Sequence, residues 1–173
     1  MKSLKVGSLK AVFRDIELDF GLVVESFEVT ADRASVVLDP LALDMATPGK
    51  AVAVVTERAI GQLLAAQAPP QVKDFEVSIS GGKIYVTAKA QVIVTIPVKA
   101  VCFLEIVGGH SVYVRLESVD VMGGAAKNLV ESQIEKVNPV LTVSDLPVPV
   151  ELQSVECESG RVTLHGVVKS FAG

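Results

Sequence analysis

An alternation of residue type runs without a break from Ile84 to Ile106. Every even-numbered residue in this range is apolar, whereas most of the odd-numbered ones up to Lys99 are polar or charged. Because successive side chains of a β-strand point to opposite faces, this period of two predicts an antiparallel sheet with one buried face and one face in water. As a single strand, Ile84 to Ile96 would extend about 40 Å at roughly 3.3 Å per residue, well beyond the usual length of about 5 to 6 residues. The pattern therefore predicts a long ribbon, and an elongated molecule, with an apolar face along its length.

The composition favours one β-rich domain with a surplus of apolar side chains. The chain has 173 residues, of which 50% are hydrophobic, its mean hydropathy is +0.48 and it contains no tryptophan. That length suits a single domain over residues 1–173. No apolar run approaches the roughly 18 residues that cross a bilayer as a helix. The expected fold class is α+β, and the apolar surplus must be buried or lined by another molecule.

Charge and targeting signals exclude some partners. The net charge is -4, and the sixteen lysines and arginines are scattered, so neither nucleic acid nor a polybasic attachment to headgroups is expected. The start of the chain, Met-Lys-Ser-Leu-Lys-Val-Gly, has no apolar stretch and so predicts no signal peptide. Taken as it stands, the chain is expected in the cytoplasm, whereas a trimmed form of an exported protein would begin in the same way.

Strands and two helices are expected elsewhere. Residues 9–20 fit either a helix or a strand, and a strand is favoured. Apolar and polar residues alternate in 27–31 and again in 34–38, and the polar pair Asp32 and Arg33 between these segments predicts a hairpin. Further hairpins are expected at three sites with a glycine at the tip, which are Gly81-Gly82, Gly108-Gly109 and Ser159-Gly160. After Leu116 the alternation slips to Val119, as a β-bulge would cause.

The two helices are defined by their ends. Thr56 can cap the first, which Pro69 and Pro70 would terminate, and its apolar stripe is Ile60, Leu63 and Leu64. The second runs from Gly123-Gly124 to about Asn138, with an apolar face and a charged back. The two cysteines, Cys102 and Cys157, lack C-x-x-C spacing. Both are expected to be buried free thiols on strands.

Three short motifs carry a family resemblance. They are Val55-Thr56-Glu57, then Val137-Asn138-Pro139 followed by Leu146-Pro147-Val148-Pro149-Val150, then Gly160-x-Val162-x-Leu164-x-Gly166. In their order and spacing, over residues 20–168, the chain resembles the LmeA-like phospholipid-binding family. Through that family it resembles the tubular lipid-binding superfamily of bactericidal/permeability-increasing (BPI)-like proteins.

This resemblance implies a long, strongly curved antiparallel sheet wrapped around one long amphipathic helix, with a second short helix. It also implies an apolar groove that binds a phospholipid or a similar acyl-chain amphiphile, with transient membrane contact and a role in lipid transfer or envelope lipid homeostasis. No cofactor is expected. The candidate groove residues lie on the ribbon, the strand after it and the two helices, and they are Ile60, Leu63, Leu64, Ile84, Val86, Val92, Val94, Ile96, Val112, Val114, Leu116, Leu129, Val130, Ile134 and Val137.

The same residues also fit a filled core. Protein interiors are close-packed, and the small in-facing residues Ala88, Ala90 and Ala100 leave room for either a helix or a ligand. The sequence leaves both possibilities open.

Catalysis is the rival function class, and few residues favour it. His110 lies in a predicted turn and His165 on the polar face of the last strand, with no third ligand or base at a suitable spacing. No nucleophile elbow, phosphate loop or zinc signature occurs, so neither an enzyme nor a metal site is expected.

A structural or assembly module is the other alternative. The nominally outer face of the ribbon is apolar at Val101, Phe103 and Val107, where the inner face is apolar too. Such a two-sided apolar segment is either covered by another element or an interface, so a homodimer or a tip-to-tip contact through the strand around Phe103 is expected under this alternative.

Overall fold

A computed structural model describes residues 2–91, 93–121 and 124–172. In this part of the chain the strands are antiparallel and form two sheets, accompanied by two helices and a short 3₁₀ turn at Val143–Asp145. The strands are β1 (Ser3–Glu17), β2 (Val23–Leu38), β3 (Leu41–Met45), β4 (Gly49–Thr56), β5 (Val72–Ser80), β6 (Lys83–Gln91), β7 (Thr95–Val107), β8 (Ser111–Val121), β9 (Leu141–Thr142), β10 (Glu151–Glu158), β11 (Arg161–Val168) and β12 (Phe171–Ala172). The helices are α1 (Glu57–Gln67) and α2 (Gly124–Val137).

The larger sheet has the strand order β10-β11-β4-β2-β3-β12, and β1 pairs with β2 along nearly the whole length of both. The strand expected over residues 9–20 is therefore confirmed up to Glu17 as part of β1, and residues 18–20 lie beyond its end. The hairpin expected at Asp32 and Arg33 is wrong, because β2 continues through both residues. Arg33 adopts a φ of 51°, in the left-handed region, and at this point the buried set changes from odd to even positions. The change of phase in the sequence therefore reflected this local conformation and not a chain reversal.

The smaller sheet has the order β5-β6-β7-β8-β9, and it corrects the prediction of a single long ribbon. The alternating segment is a hairpin, in which β6 ends at Gln91 and β7 begins at Thr95. Gln91 pairs with Thr95 and Ala90 with Ile96, so partners across the turn are both odd or both even. The even-numbered residues therefore stay on one face through the turn, and the sequence alternates as if no turn were present.

The glycine hairpins are confirmed at all three sites, since Gly81, Gly108 and Gly160 have positive φ angles between the strands they join. The bulge is confirmed as well: the β7–β8 register shifts between Val101 and Cys102.

Both helices form where the sequence places them. Thr56 caps α1, its Oγ1 accepting a hydrogen bond from the backbone N–H of Ala59 at 3.2 Å. The expected single long helix is not observed, because α1 has 11 residues and α2 has 14. Helix α1 contacts β5 and β4, and α2 contacts β8, so both helices lie beside the smaller sheet. The architecture is α+β, with two curled sheets where one was expected.

The main core forms where the two sheets meet. Its largest fully buried side chains are Phe27 and Val24 of β2, Val112 of β8 and Val168 of β11. Cys102 and Cys157 are both buried free thiols, as expected. Among the described residues, no helix has the length and apolar character needed to span a bilayer.

Candidate functional site

An apolar cavity lies between the inner face of the smaller sheet and the two helices. Its volume is about 140 Å³. A single water molecule needs roughly 10 to 15 Å³, so the cavity is far larger than a packing defect. Its lining residues are Leu22, Val55, Ile60, Leu63, Leu64, Val72, Phe75, Ile84, Val86, Ala88, Ala90, Val98, Ala100, Cys102, Leu104, Val112, Val114, Leu129, Val130, Gln133, Ile134, Val137, Val140, Leu141, Val162 and Leu164.

The sheet wall owes its space to alanines. Ala88 and Ala90 on β6 and Ala100 on β7 face inward, and all three are buried. A methyl group at these positions fills much less of the gap between sheet and helices than the valines and leucines around it. The small residues that the sequence left ambiguous therefore border open space.

Helix α2 forms the opposite wall and is fixed at its C-terminal end. The side chain of Asn138 acts there as a strand partner of Val114: its Oδ1 accepts from the Val114 N–H at 2.7 Å, and its Nδ2 donates to the Val114 carbonyl at 2.9 Å. The backbone N–H of Val140 then bonds to the Val112 carbonyl at 2.9 Å. These bonds join the end of α2 to β8, while the charged residues Glu131 and Lys136 on its other face are exposed.

One polar side chain stands out in this apolar lining. Gln133 of α2 is 9% exposed, and its Nε2 donates to the Gln67 carbonyl at the end of α1 at 2.9 Å. Its Oε1 is buried and has no hydrogen-bond partner within the described part of the chain. A buried acceptor without a partner is unfavourable by about 1 to 3 kcal/mol. The amide thus ties the two helices together, with one acceptor unused.

A cysteine thiol also lines the cavity. Cys102 is 4% exposed and lines the sheet wall, and burial raises its pKa to about 11. The charged form of a side chain is strongly disfavoured in this environment.

The structure brings most of the candidate groove residues to this cavity. Those lining it are Ile60, Leu63, Leu64, Ile84, Val86, Val112, Val114, Leu129, Val130, Ile134 and Val137. Ile96 and Leu116 are half-buried against the core but do not line it. The assignment of Val94 is wrong, because this residue lies in the β6–β7 turn and is 64% exposed. Val92 lies outside the described residues.

Other lining residues were absent from the candidate set. The alternation that identified Ile84 and Val86 also contains Ala88, Val98 and Leu104, so the signal for these was present. Three others come from outside the hairpin: Val55 and Leu164 lie on strands of the larger sheet, and Leu22 directly precedes β2. No local sequence pattern connects these residues with the β6–β7 hairpin.

The residues considered for other functions lie away from the cavity. Phe103 is 40% exposed on the outer face of β7, with Val101 and Val107 half-buried on the same strand. His110 is hydrogen-bonded through Nδ1 to the hydroxyl of Ser111 at 2.7 Å, and the Nε2 of His165 is 3.7 Å from Glu156. Over residues 2–91, 93–121 and 124–172, no group of three or more His, Cys, Asp or Glu side chains is placed to hold a metal ion.

Comparison with known proteins connects this cavity with a ligand class. The sequence model of a family described as LmeA-like phospholipid-binding matches residues 6–167, nearly the whole chain. No curated protein and no solved structure gives a significant match.

Proposed function

Because the chain belongs to the LmeA-like phospholipid-binding family, we propose that its cavity holds acyl-chain carbons of a phospholipid or similar amphiphile. The observation that carries the proposal is the lining itself, which is apolar apart from the amide of Gln133. The protein acts by binding, without catalysis, and moves its lipid between membranes in the manner of the tubular lipid-binding superfamily that the sequence resembles.

The lining determines what the ligand gains on binding. Each methylene group transferred from water into an apolar site contributes roughly 0.8 kcal/mol. Among the described residues, the lining includes no charged side chain, so the headgroup gains little inside the cavity and remains near its mouth or outside it. We therefore expect tight binding of acyl chains with weak selection among headgroups.

The size of the cavity sets a further condition. An apolar cavity of about 150 Å³ holds one benzene molecule, so the present 140 Å³ accommodates only part of an acyl chain. A whole acyl chain needs more space than this cavity offers, and we propose that α2 and the sheet separate to admit it. Helix α2 suits such a movement, because its described side-chain hydrogen bonds to the rest of the protein are that of Gln133 and those of Asn138 at its end.

A charge placed in the cavity tests the binding proposal. Ile134→Asp puts a carboxylate among the lining residues, whereas Ser132→Asp puts the same group on the exposed face of the same helix. Binding of a phospholipid with a pyrene-labelled acyl chain, followed by fluorescence, should fall more than tenfold in Ile134→Asp and stay at the wild-type level in Ser132→Asp. Circular dichroism confirms that both variants are folded. Wild-type binding by folded Ile134→Asp would refute the assignment of the cavity as the lipid site.

The exposed ring of Phe103 favours a second proposal, self-association. Phe103 and Tyr85 are each 40% exposed on the outer face of the smaller sheet, and Val101 is the strand partner of Tyr85 there. We expect sedimentation velocity to detect a dimer that grows with protein concentration and is lost in Phe103→Asp but kept in Leu38→Asp, on the other sheet. A monomer at all concentrations would remove this proposal.

A further inference from the structure

The turn between β6 and β7 exposes two aliphatic side chains. Ile93 is 96% exposed and Val94 is 64% exposed, the highest values among the large hydrophobic residues that the structure describes. Turns between strands are usually built from glycine, proline and small polar residues, which tolerate both the backbone geometry and water. The flanking residues Gln91 and Thr95 carry no charge. A protruding, uncharged and aliphatic turn calls for an environment less polar than water.

This turn lies at one end of the cavity. Ala90 and Val98 line the cavity, and Ala90 pairs with Ile96 directly before the turn. Ile96 of β7 and Val130 of α2 pack against Ala90 and Val98 in a small cluster, which Val130 connects to the main core. The apolar surface therefore continues from the cavity wall, through this cluster, to the base of the turn.

The segment that follows α1 reaches the same place. The backbone N–H of Gln91 donates to the carbonyl of Gln71 at 2.6 Å, which extends the β5–β6 pairing one position beyond Val72 and Ala90. The connection from α1 into β5 is therefore held beside the turn.

We propose that Ile93 and Val94 insert into the surface of a lipid bilayer and that this contact places the adjoining end of the cavity where acyl chains enter and leave. The inference rests on the proposed lipid-binding function. The occupant is a bilayer because the two side chains form a projecting tip, which suits insertion into a fluid apolar phase, and because the apolar surface behind them leads into the cavity.

The charges near the turn indicate how this insertion depends on salt. Lys89 lies 3.6 Å from Asp74 and is opposite Lys73 in the sheet register, and Lys99 is opposite Asp120. Lys89 and Lys99 each have an acidic neighbour and Lys73 adds one positive charge, so the tip has only a weak net attraction for anionic headgroups. We expect membrane binding to persist between about 0.1 and 1 M salt, where surface electrostatic attraction is largely screened.

The lack of tryptophan in the chain permits a direct test. Ile93→Trp creates a single tryptophan at the tip, and Leu38→Trp creates one at a control position that is 62% exposed on the larger sheet. With phosphatidylcholine vesicles containing brominated acyl chains, emission of Ile93→Trp should shift to the blue and be quenched, whereas emission of Leu38→Trp should do neither. Equal quenching at both positions, or quenching at neither, would overturn the inference.

A second experiment separates this inference from the function on which it rests. Ile93→Ser should weaken vesicle binding about ten- to a hundredfold, the factor that corresponds to burial of an isoleucine side chain, while Leu38→Ser leaves it unchanged. Extraction of phospholipid from vesicles should slow in proportion, but loading from detergent micelles should match the wild type. Normal extraction by Ile93→Ser would overturn the membrane role of the turn, and failure of the wild type to load from micelles would overturn the lipid-binding function itself.

Discussion

Replacement of Ala100 by leucine distinguishes an open cavity from a filled core by the sign of the stability change. Ala100 is 7% exposed, lines the cavity and lies on β7 between Val86 and Val119 of the neighbouring strands. Leucine adds three carbon atoms at this position. If they occupy open apolar space, the folded protein should gain about 2 kcal/mol, at roughly 0.8 kcal/mol for each carbon. In a close-packed core the same carbons would destabilise the protein by about 1 to 3 kcal/mol.

Ala53 provides the matched control. It is 2% exposed on β4, where its strand partners are the buried residues Phe27 and Leu164, and it does not line the cavity. Ala53→Leu should therefore destabilise the protein while Ala100→Leu stabilises it. Both substitutions make the same chemical change at a buried strand position, so differences in the unfolded state largely cancel.

Urea unfolding, followed by circular dichroism on lipid-free protein, measures both changes. An increase of about 2 kcal/mol corresponds to a melting temperature raised by about 4 to 8 °C for a domain of this size. Ala100→Leu should also bind acyl chains more weakly, because the added side chain occupies part of their space. The reasoning is refuted if Ala100→Leu destabilises the protein as much as Ala53→Leu does.

Four further predictions concern groups at or beside the cavity. Burial raises the pKa of Cys102 to about 11 from an ordinary value of 9.0, so its thiolate should be about a hundredfold scarcer at pH 8 than that of a free thiol. The rate of alkylation by iodoacetate should therefore increase about tenfold per pH unit up to that pKa. An alkylation rate that levels off near pH 9 would contradict this. The native state keeps its proton to a higher pH than the unfolded state, so the stability contributed by Cys102 should be present below about pH 9 and be lost between about pH 9 and 11, relative to Cys102→Ala. Asn138→Ala leaves both backbone groups of Val114 without their partner and should lower the free energy of unfolding by about 2 kcal/mol. Asn138→Asp should also destabilise the protein, because one carboxylate oxygen would take the place of the Nδ2 donor and face the Val114 carbonyl oxygen. Wild-type stability of Asn138→Ala would contradict this assignment. Thr56→Ala removes the cap of α1 and should lose about 1 kcal/mol, whereas Thr56→Ser should lose much less, both measured by urea unfolding.

Local patterns predicted the elements well, because caps, glycine turns and alternation act over a few residues. The cap at Thr56 and the hairpin at Gly81 depend only on near neighbours, and both form as expected. The β6–β7 turn was missed because pairing of Gln91 with Thr95 preserves the parity of the alternation, so no break in pattern marks the reversal. The same oversight placed Val94 on the cavity wall.

The conformation of Arg33 illustrates the opposite error. A polar pair between two alternating segments fits a hairpin, but a single residue with positive φ produces the same change of phase within one strand. Only the pairing of β1 along the whole of β2, a contact between distant parts of the chain, decides between the two.

The cavity could be predicted only in part. The apolar faces of the hairpin and of both helices were identifiable from periodicity, since each is a property of one element. That alanines such as Ala88 and Ala100 border open space depends on how far the helices lie from the sheet, which no local pattern encodes. The unpartnered amide oxygen of Gln133 and the contribution of Leu164 from the other sheet likewise follow from the tertiary arrangement.

The central claim is that acyl chains occupy this cavity, and native mass spectrometry of the purified protein tests it most directly. We expect a mass increase of one amphiphile per chain, released on organic extraction and identified as a phospholipid or related acyl lipid. The bound fraction should fall in Ile134→Asp and persist in Ser132→Asp. A protein mass that matches the sequence alone and does not change after incubation with phospholipid vesicles or micelles would contradict the account.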